Sequence, residues 1–225
     1  MEGVSEFQYL GSIISTESDV EVDIRARIGK AASTFQRLRK IWSSHSINLD
    51  TKLRLYTSIV IPTGLHACET WKSTFNIRQK LDVFHQRCLR TFLGISWRDH
   101  ISNDEVLRRV DLGSLSEIVR QKRLRFAGHI LRLPENRPAY KAMNWLPDNG
   151  KRRPGRPTKT WRATFKEDLQ DIGLTWMGAK RSAATDQNGE SSSPDVRQEL
   201  EELIRSKVRN LTVLNKFTPY RPLLP

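Results

Sequence analysis

Apolar residues spaced three, four and seven apart constrain this chain most, because that spacing lays a continuous stripe along a helix and cannot keep to one face of a strand. Ile24, Ile28, Phe35, Leu38 and Trp42 form the first stripe, opened by Ser18 and Glu21 at capping-box spacing and backed by basic residues. A second helix is expected from near Asn48 or Asp50, packing Leu49, Leu53, Tyr56 and Val60, with a break or kink at Pro62 and Gly64. A third, from about Thr74 to Leu93, places Ile77, Leu81, Phe84, Cys88 and Phe92 on one face and stops at Gly94. Ser102 with Glu105 and Ser114 with Glu117 are two more capping boxes, each opening a helix, the latter running to Leu133 before Pro134. Only Phe7 to Ile14, short, β-branched and aromatic, reads as strand, with a turn or bulge at Gly11.

Beyond Pro134 the pattern lapses. Residues 134–157 are proline-rich and basic and read as an extended connector, after which Thr158 is expected to cap a helix carrying Trp161, Phe165, Leu169 and Ile172 and closed by Gly173. Residues 183–194 read as a flexible linker, and a last helix from about Asp195 to Leu211 offers Val196, Leu200, Leu203, Ile204, Val208 and Leu211. With 225 residues a sizeable core is affordable, and no run approaches the roughly 18 apolar residues of a spanning helix. Cys68 and Cys88 are too few for a disulfide framework and fit a reducing compartment, the cytosol or nucleus.

Charge is concentrated. Residues 120–166 hold fourteen Lys and Arg against Glu135 and Asp148, a local net charge of +12 out of +13 for the whole chain. One basic segment on a nearly neutral protein is the electrostatic footprint of a polyphosphate partner.

Several landmarks occur in order: Phe7-Gln-Tyr-Leu-Gly-Ser12, a helix ending in Trp42, Lys52 to Tyr56, Ala67-Cys-Glu-Thr-Trp71, Arg87-Cys-Leu-Arg90, Gly128-His129 with Arg132, and Gly150-Lys-Arg-Arg-Pro-Gly-Arg-Pro157 before Trp161. Together they resemble the C-terminal third of the endonuclease-reverse transcriptases of LINE-type, non-LTR retrotransposons, over roughly residues 7–185. The resemblance implies that Tyr9, Leu10 and Gly11 belong to a primer-grip-like hairpin, and that the helices after them correspond to the thumb that clamps a primer-template duplex. The family's paired-aspartate motif, which holds two magnesium ions, would precede residue 1, and the chain contains no Asp-Asp pair. The implied product is thus a fragment that keeps binding surfaces, with neither polymerase nor endonuclease chemistry and no cofactor of its own. Two departures limit the match: Pro154 stands where the family usually places Arg before Gly-Arg-Pro, and the tail after Gln187 lies outside it.

The sharpest local signal is Lys151-Arg152-Arg153-Pro154-Gly155-Arg156-Pro157-Thr158-Lys159. Extended backbone around Gly-Arg-Pro can lie in a narrow minor groove with arginines at its floor; simple phosphate contact, or a solvated linker or import signal, are the other readings. On the helix from Ser114, Arg120, Arg123 and Arg132 are free to line a groove along a nucleic-acid backbone if Phe126 and Ile130 face the core, and a solvated helix face is the alternative. Gly128-His129 reads as close helix packing with a buried imidazole. His66, Cys68, His85 and Cys88 could be drawn as a zinc site, but Cys88 sits on an apolar stripe as a small hydrophobe. The six tryptophans read as packing anchors more than as stacking platforms.

The expected architecture is therefore mainly α: a remnant of a primer-grip-like hairpin at 1–17, a thumb-like helical module at 18–112, a basic helical module with a proline-rich connector at 113–180, a linker at 181–194, and a C-terminal helix with a frayed tail at 195–225. The expected partner is RNA, DNA or their hybrid, held mostly through phosphates by Arg120, Arg123, Arg132, Lys151, Arg152, Arg153, Arg156 and Lys159. Two other readings remain: a helical protein-interaction module that self-associates or pairs with a reverse transcriptase through its last helix, and a relic of a transposable element. No membrane role is expected.

Overall fold

The computed structural model describes residues 6–9, 11–15, 20–145 and 159–184. Ser18, Leu10, the basic run 151–158 and the expected last helix lie outside them, as does the expected linker from 185 on; its first residues, to Ala184, are helical and not linker. The protein is mainly helical with a short N-terminal antiparallel pair of strands. It divides into two compact units, one taking the described residues up to Val110 with Ser114–Val119, the other Asp111–Gly113 and the described residues from Arg120 on.

In the first unit, β1 (Glu6–Tyr9) pairs with β2 (Ser12–Ser15), Phe7 opposite Ile14 and Tyr9 opposite Ser12. Gly11 supplies the positive φ of +83° that L-residues resist. The hairpin buries little of its own surface, since every residue of β1 is exposed. It is tied instead to α1 (Val20–Arg37): Ile13 N–H donates to Asp23 Oδ1 at 2.9 Å and Arg27 Nη2 donates to Ser12 Oγ at 2.9 Å.

Helix α1 buries Ile24, Ala31 and Phe35 as the stripe requires, but it does not continue to Trp42. The backbone leaves the helix at Leu38 (φ −94°, ψ 13°), and α2 (Arg39–Trp42) is a separate turn. The break folds Trp42 back so that its ring stacks on Phe35 with centroids 5.0 Å apart and its Nε1–H donates to the Phe35 carbonyl at 2.7 Å, pairing the buried indole N–H.

Asn48 caps α3 (Leu49–Leu55), its side chain accepting from Thr51 N–H. Of the break or kink expected at Pro62 and Gly64, Pro62 does not interrupt the helix, which ends at Gly64. The turn Tyr56–Val60 widens so that Ile61 N–H reaches five residues back to the Tyr56 carbonyl, and α4 (Ile61–Gly64) follows directly. A widened turn accommodates a proline that in a regular helix would clash with the carbonyl four residues before it. The hydroxyls of Thr57, Ser58 and Thr63 donate to carbonyls of the preceding turn. Where α4 packs on α1, a Cβ on Gly64 would lie 3.1 Å from Ala31 Cβ. Gly64→Val is accordingly expected to cost about 1–3 kcal/mol by overpacking, read from urea denaturation; an unchanged midpoint would show that α4 can back away from α1.

Helix α5 (Phe75–Leu93) follows its sequence reading closely: Thr74 caps it, Gly94 ends it at φ +68°, and Ile77, Leu81, Phe84, Cys88 and Phe92 are buried. Tyr56 sits fully buried among Phe35, His85 and Phe92, with its hydroxyl 2.7 Å from His85 Nδ1. Ser102 and Ser114 cap α6 (Asn103–Val110) and α7 (Leu115–Leu131) by accepting from the Glu105 and Glu117 N–H groups, while the Glu105 carboxylate turns to Arg108 and Arg109.

The second unit is built on the later turns of α7 with α8 (Pro138–Asn144), α9 (Trp161–Asp171) and α10 (Trp176–Ala184). Its core gathers Leu124, Ala127, Ile130 and Leu131 with Tyr140, Met143, Phe165, Leu169, Ile172 and Ala179. Helix α8 lies inside the stretch expected to be an extended connector; Pro138 occupies the first helical position, where a missing N–H costs nothing. The cap of α9 is Thr160 and not Thr158, its hydroxyl accepting from Ala163 N–H at 3.1 Å. After α9, Gly173 at φ +78° lets Leu174 N–H return to the Leu169 carbonyl, and the chain enters α10, a helix with no forecast stripe, whose Trp176 packs edge-on against Phe165.

Candidate nucleic-acid interface

The basic residues of α7 do not share one role. Arg123 lies four residues after Val119 and four and seven before Ala127 and Ile130, all three buried, so its spacing puts it on the buried stripe. Only 2% of it is exposed, and its Nε donates to Asp168 Oδ2 at 2.5 Å. This corrects the placement of Arg123 on a free, groove-lining face: within this fold its guanidinium is a core group. Burial raises the Asp168 carboxyl pKa above the ordinary value, with Arg123 and then Arg120 pulling it back down. Arg120 is half-buried and pairs with Asp171 at 3.5 Å, and Lys159 pairs with Glu167. Thus Glu167, Asp168 and Asp171, just past the basic segment in sequence, engage three of its cations.

Arg132 is exposed and passes over Gly128, where a Cβ would lie 3.8 Å from its Nη1. His129 is exposed, which corrects the expected buried imidazole; it lies one residue, about 100° of helix, off the buried stripe. Arg125, Arg137, Lys141 and Lys166 are also exposed. Arg162 stacks its guanidinium 4.8 Å above the Trp176 ring. Lys151, Arg152, Arg153 and Arg156 lie outside the described residues. Tyr9 and Gly11 sit in the hairpin, Tyr9 with 57% exposure beside Phe7 and Ile14 on the same face.

Of the residues that could be drawn as a zinc site, Cys68, His85 and Cys88 are buried and His66 is exposed, and among the described residues no three such side chains gather to hold a metal. Burial pushes the Cys88 thiol up to about 12, which removes it as a nucleophile. Trp42 and Trp71 are core anchors; Trp97 is 78% exposed beneath the Arg98 guanidinium, and Trp145 is 68% exposed.

The first unit carries a basic surface that segment-by-segment charge counting hides. The outer face of α5 lines an open groove of about 680 Å³, completed by Asn103 and Ser116. Arg78 and Arg87 are exposed there, and neither has an ion-pair partner among the described residues. Arg90 donates through Nη2 to the Ile101 carbonyl at 2.7 Å and to Asn103 Oδ1 at 2.9 Å. The groove's carboxylate, Asp82, accepts from Ser116 N–H at 3.0 Å and Ser116 Oγ at 2.7 Å. The available signal was Arg78, Lys80, Arg87 and Arg90 against the single acid Asp82 within Phe75–Leu93, a local excess of three positive charges that lies outside the strongly basic segment 120–166.

A protein of Caenorhabditis elegans described as transposon-derived and uncharacterized is 25% identical over 177 residues, covering 75% of this chain and 62% of that relative. The chain thus spans less than two thirds of the relative's length, and the likeness supports a transposable-element origin. No protein-family model matches the chain, and no solved structure matches it. Among the described residues no helix is long and apolar enough to cross a membrane.

Proposed function

We propose that this chain binds nucleic acid through its phosphates, with a region corresponding to the thumb and basic C-terminal part of a LINE-type reverse transcriptase. The carrying observation is local charge: even with the three carboxylates of α9 included, residues 120–171 hold fourteen cations against five acids. The transposon-derived relative supports the origin that this reading requires. Such a protein works in the nucleus or cytoplasm on RNA, DNA or a hybrid.

Phosphate binding releases counterions, so affinity falls as a power of salt concentration. In the full chain, replacing Lys151, Arg152, Arg153 and Arg156 with alanine is expected to flatten the log–log salt slope for a DNA duplex by about 3–4, near 0.9 per lost phosphate contact. Fluorescence anisotropy over a salt series measures it. Equal affinity and slope for parent and variant would rule out the basic segment as the binding element.

A further inference from the structure

We infer that the groove along α5 is a binding site for a single strand of nucleic acid, with Arg78 and Arg87 holding backbone phosphates and Phe75 stacking an unpaired base. This rests on the nucleic-acid reading above but on different residues, in the other unit. The groove's charge favours an anion: two exposed arginines have no ion-pair partner among the described residues, and the Asp82 carboxylate already accepts two hydrogen bonds from Ser116. Arg87 lies nine positions after Arg78, about 13.5 Å along the helix and half a turn around it, so the two stand at opposite edges of the groove lining and a strand crossing the groove obliquely meets them at different phosphates. Arg90 is spent on Ile101 and Asn103 and serves to fix the groove wall.

The rest of the lining decides the class of anion. Phe75 is 69% exposed at the N-terminal end of the groove, one helical turn before Arg78, where a base can lie flat on its ring. Stacking of this kind is indifferent to base identity and needs the base unpaired, which selects a single strand over a duplex. The exposed Gln79 amide offers both donor and acceptor to base edges, and Asn103, its Oδ1 held by Arg90, offers its amide N–H groups. The carboxylates of an acidic peptide would use the arginines but have no flat apolar face to lay on the exposed phenyl ring.

The test uses the full chain and a fluorescent ten-nucleotide oligo(dT), comparing the parent with Arg78→Gln/Arg87→Gln, with Phe75→Ala, and with the basic-segment alanine variant. All three groove side chains are exposed, so circular dichroism melts should match the parent. The double arginine variant is expected to flatten the salt slope by about 1.4, at about 0.7 per contact on a single strand, and Phe75→Ala to weaken binding about tenfold. Parent-like oligo(dT) binding by both groove variants, with binding lost in the basic-segment variant, would overturn the groove inference while leaving the phosphate-binding reading intact. Failure of the parent to bind either oligo(dT) or duplex would overturn both.

Discussion

Replacing Arg123 with methionine is expected to destabilise the second unit by about 3–5 kcal/mol, because it strands the Asp168 carboxylate inside a core without its counter-charge. Both side chains are almost fully buried, and their contact joins α7 to α9 across the Phe165 and Leu169 layer. Asp168→Leu should cost a similar amount by stranding the guanidinium. The double variant should regain most of the loss, since an apolar pair of similar volume escapes the desolvation that two buried charges suffer. The pH dependence follows from the raised carboxyl: ionised Asp168 opposes folding above its folded-state pKa, and the opposition fades as pH falls through that value toward the unfolded one. With Arg123 gone the main offset is lost, so the deficit of Arg123→Met is largest near neutral pH and narrows on acidification. Guanidinium denaturation followed by Trp161 and Trp176 fluorescence would measure all three variants; additive single losses in the double variant would disprove the coupling.

Asp23→Ala should cost the first unit about as much, again about 3–5 kcal/mol, for a related reason. One carboxylate, 5% exposed, accepts from Ile13 N–H and from Trp71 Nε1–H at 3.3 Å and lies 3.7 Å from Arg27 Nε, whose own residue is 6% exposed. Its removal leaves a buried guanidinium without its counter-charge and takes from the hairpin one of its ties to α1. Faster hydrogen exchange at the Ile13 amide should accompany the drop in stability, whereas Asp23→Asn, which keeps an acceptor oxygen, should retain more protection. An Ile13 amide as protected in Asp23→Ala as in the parent would show that the strands hold themselves.

Those two sites also mark where residue patterns stop being informative. Thr74, the stripe from Ile77 to Phe92 and Gly94 bound α5 because cap, periodicity and stop all act within one helix. Helices α8 and α10 escape such reading for opposite reasons: Pro138 looks like a breaker but sits at the first helical position, and α10 carries too few apolar residues to register a stripe. Trp42 looks like the end of a long helix because its spacing is correct, yet the indole N–H requires a carbonyl, and Phe35 supplies one only if the chain turns at Leu38.

The amino-acid sequence by itself determined the helical class, the N-terminal strand pair, most caps and the concentration of positive charge, since each depends on residues within a turn or two of one another. The tertiary structure decided which charges face solvent. Arg123 carries the same guanidinium as Arg125, two positions away, but a carboxylate 45 residues later meets the first and not the second. The groove on α5 depends in the same way on Ser116 reaching Asp82 from 34 residues away. Local propensity is additive along the chain, whereas the availability of a charge depends on what long-range packing places beside it.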